Sequence, residues 1–161
     1  MREEQIIPKE RKYIEVKYDA LTQGYLHEYC DANGFDLSIR FDGSKQDPDC
    51  FYFHSTVWFT TTEHQLDNAT IDCYVTATAT NFALFGTNQD ILVLEIQSDE
   101  LQELRDYYGM EYGMEDEWPD YRPHITLCYG YKGNGLPDVE LPEMQLVADQ
   151  LNIKTQKRSG Q

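Results

Sequence analysis

Two tripeptides, His54-Ser55-Thr56 and His124-Ile125-Thr126, stand 70 residues apart in a chain with only four histidines. Each lies in a β-like run, Phe51 to Phe59 and Pro123 to Tyr129. Period-two alternation sends each His and its Thr to one face of a strand and Phe53, Val57, Ile125 and Leu127 to the other. A fold that sets two such strands side by side converges two imidazoles and two hydroxyls on one cleft. That inventory suits acid and base work on a phosphodiester without a metal.

The rest of the chain supplies the elements around these strands. Residues 1 to 10 are polar and read as a flexible N-terminus, and 154 to 161 as a flexible basic tail, leaving 11 to 153 as a single domain. Lys12 to Tyr18 alternates Tyr13, Glu15 and Lys17 against Ile14, Val16 and Tyr18, as a strand does, with Ile14 and Val16 inward. Asp19 suits an N-cap for a helix over about Ala20 to Ala32, burying Leu21, Tyr25 and Leu26 or Tyr29, with Asn33-Gly34 as its stop. Asp36 to Asp49 reads as a loop or a short strand around Leu37 to Phe41. Thr70 to Phe85 and Ile91 to Ile96 suggest a hairpin across Gly86 to Asp90. Ser98 caps a second helix carrying Asp99 and Glu100 in its first turn, with Leu101, Leu104 and Tyr107 or Tyr108 on its apolar face and Gly109 as its end. An acidic loop, Met110 to Asp120, leads into the second motif strand, and Met144 to Ile153 reads as the last strand. This order divides into two similar halves and predicts an α+β fold of antiparallel strands with outer helices.

Charge narrows the partners. Thirteen basic against twenty-nine acidic side chains give a net charge of −16, which argues against long nucleic acid, because such binding rests on neutralising many phosphates. A small anion needs only local donors. Cys30, Cys50, Cys73 and Cys128 show no CxxC and no metal spacing, and read as reduced thiols of a cytoplasmic protein. No apolar run approaches the roughly 18 residues of a membrane span. A metal site built on His54 with His64 or His124 lacks a third ligand, since Glu63 and Asp67 fall in an expected loop.

Two His-x-Thr strands, the second written Arg122-Pro123-His124-Ile125-Thr126-Leu127, resemble the two-histidine phosphoesterase superfamily, which includes cyclic phosphodiesterases and bacterial 2′,5′-RNA ligase-like proteins. Within it the chain is most similar to the phage anti-CBASS nucleases, small proteins that linearise the cyclic di- and trinucleotide messengers of bacterial antiphage signalling. That likeness rests on the short length, on His54-Ser55-Thr56-Val57-Trp58-Phe59 after a helix, and on Asn81 to Gly86 followed by Ile91 to Leu94. It covers roughly residues 11 to 153. The resemblance implies a two-lobed antiparallel architecture with the cleft between the motif strands. It also implies His54, Thr56, His124 and Thr126 as catalytic residues, no metal or cofactor, and the cytoplasm of an infected bacterium as the place of action.

For a ribonucleotide 3′–5′ linkage the internal 2′-hydroxyl is already held beside phosphorus, so one histidine to remove its proton and one to protonate the departing 5′ oxygen suffice. Thr56 and Thr126 can donate to non-bridging phosphate oxygens. Which histidine is the base stays open. Each His alone also reads as a satisfied polar residue on a half-buried strand, and His27 and His64 as surface residues. Candidates for stacking on purine rings are Tyr13, Phe82, Phe85, Trp118 and Tyr131, with Tyr13 first because alternation separates it from the core. Phe85 and Trp118 join it as candidate substrate contacts. Arg122, Lys12 and Lys17 could offset phosphate charge, with solvated roles expected for the two lysines. Two other functions use the same residues: a phosphodiesterase for 2′,3′-cyclic phosphate ends of RNA or small nucleotides, and a catalytically silent module that sequesters a nucleotide.

Overall fold

The computed structural model describes residues 9–116 and 120–156. The elements are β1 (Glu10–Tyr18), α1 (Ala20–Ala32), a short 3-10 turn (Pro48–Cys50), β2 (His54–His64), β3 (Ala69–Phe85), β4 (Ile91–Gln97), α2 (Asp99–Tyr112), β5 (His124–Cys128) and β6 (Leu146–Thr155). The fold is α+β, with one six-stranded sheet in the order β2-β1-β6-β3-β4-β5 and every neighbouring pair antiparallel. The two halves anticipated from sequence share this sheet, because β3 is 17 residues long. Its first part ladders with β6 and its last part with β4. Irregular register at Asp72/Val75 and Ala79/Asn81 interrupts the pairing along β3, as bulges do where a sheet bends.

Alternation sorts the two faces. Ile14, Val16, Phe53, Val57, Leu92, Leu94, Ile125, Leu127, Leu151 and Ile153 form one buried cluster with Leu26 and Cys30 of α1 and Leu101 of α2. The opposite face carries Tyr13, Glu15, His54, Thr56, Glu95, His124 and Thr126. Although β2 and β5 are the two ends of the strand order, they touch. The buried Ser55 hydroxyl donates to the His124 carbonyl at 2.8 Å, and the Tyr121 hydroxyl donates to the Thr56 carbonyl at 2.7 Å. Because the Ser55 proton is used there, the buried Tyr18 hydroxyl, 2.8 Å away, donates to Ser55 Oγ. The sheet therefore curls until its edges meet through side chains.

Several expectations are corrected. Asp19 and Ser98 do cap the helices, accepting from the amides of Thr22 and Leu101. The inward stripe of α1, however, is Thr22, Leu26 and Cys30, while Leu21 is 73% exposed. Thr22 turns inward because its hydroxyl accepts the Val147 amide of β6 at 3.1 Å. Gly109 does not end α2; the helix runs to Tyr112 and stops at Gly113, which takes the left-handed conformation at φ 61°. Gly109 instead admits the Trp58 ring, whose edge would lie 3.0 Å from any added Cβ. Leu37 to Phe41 forms no strand beyond an isolated bridge between Ile39 and Lys45.

Lys12, expected in solvent, is buried. It shares the inward phase of Ile14 and Val16 in β1, and its ammonium donates to Asn68 Oδ1 at 2.9 Å, Thr155 Oγ1 at 3.2 Å and Glu10 Oε1 at 3.5 Å. His27 and His64 are half-buried: the first contacts the Phe51 carbonyl at 2.7 Å and the Phe53 ring, the second the Thr62 hydroxyl at 2.9 Å. The last strand continues past Ile153 to Thr155, and Gln156 still donates its amide to the Arg11 carbonyl. Residues 1–8 and 157–161, most of the two segments expected to be flexible, lie outside the described residues. No helix among the described residues is long and apolar enough to cross a membrane.

The edge-to-edge closure makes a stability prediction. Ser55→Ala strands the His124 carbonyl and the Tyr18 hydroxyl in a buried position, and is expected to cost about 1–3 kcal/mol. In urea unfolding the midpoint should fall with an unchanged slope. An unaltered midpoint would show that Ser55 does not hold the edges together.

Candidate active site

His54 is the first residue of β2 and His124 the first of β5. The Ser55 bond to the His124 carbonyl brings these two strand starts together. Both imidazoles are anchored alike, through the carbonyl two residues earlier. His124 Nδ1 donates to the Arg122 carbonyl at 2.8 Å, and His54 Nδ1 to the Tyr52 carbonyl at a longer 3.5 Å. A carbonyl only accepts, so each Nδ1 carries hydrogen and each Nε2 is left to exchange a proton with a ligand.

Thr56 and Thr126 follow on the same face, each beside a tyrosine. The Tyr13 and Thr56 hydroxyls lie 3.0 Å apart, and the Tyr129 hydroxyl neighbours the Thr126 side chain. Burial pushes the pKa of both tyrosines up, so both phenols keep their protons. Such a phenol can donate to the threonine oxygen and leave the threonine proton free for an anion.

A carboxylate supports each imidazole. Glu15 is fully buried; its oxygens accept from the Tyr52 hydroxyl at 2.9 Å, the Asn152 amide at 3.1 Å and the Lys154 ammonium at 3.4 Å. The Tyr52 ring packs on His54 with centroids 5.0 Å apart. Across the site Glu95 is the register partner of His124 and receives Arg122 through two bonds, at 3.0 and 2.9 Å, and Asn81 at 2.8 Å. Arg122 holds the Glu95 carboxyl below its usual range. Burial lowers the pKa of both histidines. Glu15 opposes that for His54; for His124 the Arg122 carbonyl opposes it and the neighbouring His54 adds to it.

A cavity of about 660 Å³ opens here, its walls including Thr56, Phe59, Phe85, Tyr121, Arg122 and His124. Phe85 meets His124 edge-on at 4.7 Å and carries the Arg122 guanidinium 4.6 Å above its ring. His54 is not among the cavity walls; it stands two residues along β2 from Thr56, edge-on to Tyr13 at 6.4 Å. The structure thus brings together His54, Thr56, His124, Thr126, Tyr13, Phe85 and Arg122. Phe82, by contrast, is buried in the core cluster, and Tyr131 packs against that cluster. Trp118 lies outside the described residues. Among the described residues no three His, Cys, Asp or Glu side chains group as a metal site requires.

Ser55, Tyr52, Glu15, Glu95, Tyr121 and Tyr129 did not emerge as site residues from the sequence. Two of them carried a signal. Glu15 shares the phase of Tyr13 in β1, and Glu95 is the one carboxylate inside the apolar run Ile91 to Ile96.

Among known families, the one described as anti-CBASS protein Acb1 matches residues 11–155. No curated protein matches the chain.

Depressed histidines carry a sign. Protonation is disfavoured in the folded state, so their contribution to stability is complete above the ordinary value of 6.5 and lost as pH falls through the lowered folded values. The imidazole proton resonances of His54 and His124 should titrate with midpoints below 6.5, and the urea midpoint should drop as pH falls below about 6.5. The drop should shrink in His54→Gln and His124→Gln. Midpoints above 6.5 would mean that the carboxylates outweigh burial.

Proposed function

Because the chain belongs to the anti-CBASS protein Acb1 family, whose name implies interaction with cyclic oligonucleotide messengers, we propose that it is a two-histidine phosphodiesterase that cleaves their 3′–5′ bonds and so lets a phage evade CBASS defence. One observation carries the reading. His54 and His124 converge from the two edges of one sheet, each with Nδ1 held by a carbonyl and Nε2 left for the ligand.

The chemistry follows from that pair. One neutral imidazole takes the proton of the 2′-hydroxyl beside the scissile phosphate. The 2′ oxygen then bonds to phosphorus, the bond from phosphorus to the 5′ oxygen breaks, and the other histidine, as imidazolium, protonates the departing oxygen. The products are a 2′,3′-cyclic phosphate and a free 5′-hydroxyl, with no water or metal needed for the step. Each proton transfer is worth about 10² to 10⁴ in rate. Thr56 and Thr126, with Tyr13 and Tyr129 behind them, donate to the non-bridging oxygens as charge builds there. Phe85 offers an apolar surface to a base.

His54→Ala and His124→Ala should each lower turnover of a cyclic dinucleotide about a hundredfold or more while melting near the parent temperature. Thr56→Val and Thr126→Val should lose less, since valine keeps the branched shape and removes a hydroxyl that orients phosphate but transfers no proton. Near-normal turnover in either histidine variant would remove that residue from the mechanism.

The nucleophile is tested separately, by incubating the protein in EDTA with cyclic di- and trinucleotides, a 2′,3′-cyclic phosphate and linear RNA, with products weighed by mass spectrometry. Cyclic ribodinucleotides should open through a 2′,3′-cyclic phosphate, and the dideoxy analogue should bind uncut. Binding without turnover of any substrate would make the protein a sequestering module, and loss of the 2′,3′-cyclic phosphate alone would assign it to RNA ends.

A further inference from the structure

Lys17 is the register partner of His54 across β1 and β2 and shares its face. Its ammonium lies 5.4 Å from the centre of the Tyr52 ring; the ammonium of Lys154, reaching from β6, lies 5.5 Å from the same centre. That ring rests against His54 at 5.0 Å. Two cations are therefore gathered about the aromatic group that touches one of the two imidazoles, in a chain whose net charge is −16.

Their charges are not equally occupied. Lys154 is 3.4 Å from Glu15, whose carboxylate also holds Tyr52 and Asn152. Lys17 forms no ion pair among the described residues; its recorded contact is with the Tyr52 ring. Both lysines are partly exposed, on the side of His54 away from the cavity walls. On the other flank, Arg122 is taken up by Glu95 in a two-bond pair beside the apolar Phe85. The cation beside the site without a carboxylate partner among the described residues is accordingly Lys17, on the His54 side, with Lys154 next to it.

A ligand with one phosphodiester between the imidazoles has no use for that charge. A cyclic dinucleotide does, because its two phosphodiesters are joined in one small ring. When one lies at the histidines the other must lie nearby, and in an acidic protein it needs a local cation to enter. We propose that Lys17 and Lys154 form a subsite for the second, uncleaved phosphate of a cyclic dinucleotide, on the Tyr52 side of His54. This rests on the reading of the site as one for cyclic oligonucleotides and specifies how it selects them over single-phosphate ligands.

Titration calorimetry tests it without requiring turnover. The ligands are cyclic di-2′-deoxyadenosine monophosphate, with two phosphates, and the linear 2′-deoxyadenosine dinucleoside monophosphate, with the same two bases and one phosphate. Lys17→Gln should weaken binding of the cyclic ligand by about tenfold more than binding of the linear one, as expected for losing a charge-assisted contact to phosphate. Lys17→Arg should restore the cyclic ligand to within about twofold, since it keeps the cation. Equal losses on both ligands, or none, overturn the subsite. Failure of the underlying reading looks different: lysine-dependent binding of the cyclic ligand with no cleavage of its ribose counterpart removes the catalysis and leaves the subsite. Cleavage with no dependence on Lys17 does the reverse, and a protein that binds neither ligand overturns both.

Discussion

The site depends on two sheet edges that meet without laddering. Edge strands present unpaired amides and carbonyls, and a protein must pair, cover or blunt them. Here β2 and β5 approach each other through single side-chain bonds, Ser55 to the His124 carbonyl and Tyr121 to the Thr56 carbonyl. A continuous ladder would have closed the sheet and filled the space between the strands. Point contacts bring the two histidines within electrostatic reach of one another and leave room for a cavity. The residue that ties one motif strand directly to the other is the middle one of the first tripeptide, facing away from its neighbours His54 and Thr56 into the protein.

A second brace holds the approach to β5. The Arg105 guanidinium is stacked between Trp58 at 3.7 Å and Tyr121 at 4.1 Å, donates to the Val57 carbonyl at 2.7 Å and pairs with Asp116 at 3.0 Å. It ties α2 to β2 and to both described ends of the segment leading into β5. Removing one member of a buried pair leaves an uncompensated charge and typically costs several kcal/mol, so Arg105 is inward on α2 for structural reasons that an apolar-stripe rule does not foresee. Burial of polar groups runs throughout the protein. Lys12, Glu15 and Arg105 are all inside, and each has its partners.

The two motif strands were legible because alternation around His54 and His124 is regular and places His and Thr together. The helices were legible from Asp19 and Ser98, whose short polar side chains satisfy the first free amides. Gly109 misled because glycine ends helices and also makes room. Only the position of Trp58, 51 residues earlier in sequence, decides between the two roles. Leu21 misled because apolar spacing on α1 fits two neighbouring phases, and the Thr22 hydroxyl bond to β6 selects the less apolar one. Glu15 and Ser55 were hidden for a common reason: their importance lies in partners brought by other strands, and a local pattern carries no record of those.

The position of β6 has a consequence for how the protein is made. This strand follows all the others in sequence yet lies in the middle of the sheet, between β1 and β3. During synthesis the β1–β2 pair and the β3–β4 pair can form first, but each then presents a bare inner edge until β6 emerges and joins them. Pairings this distant in sequence are slow to close, and the waiting edges are open to other chains. The face that carries both histidines is thus assembled late in folding, and a nascent chain lacking β6 holds both histidine motifs without a frame to oppose them.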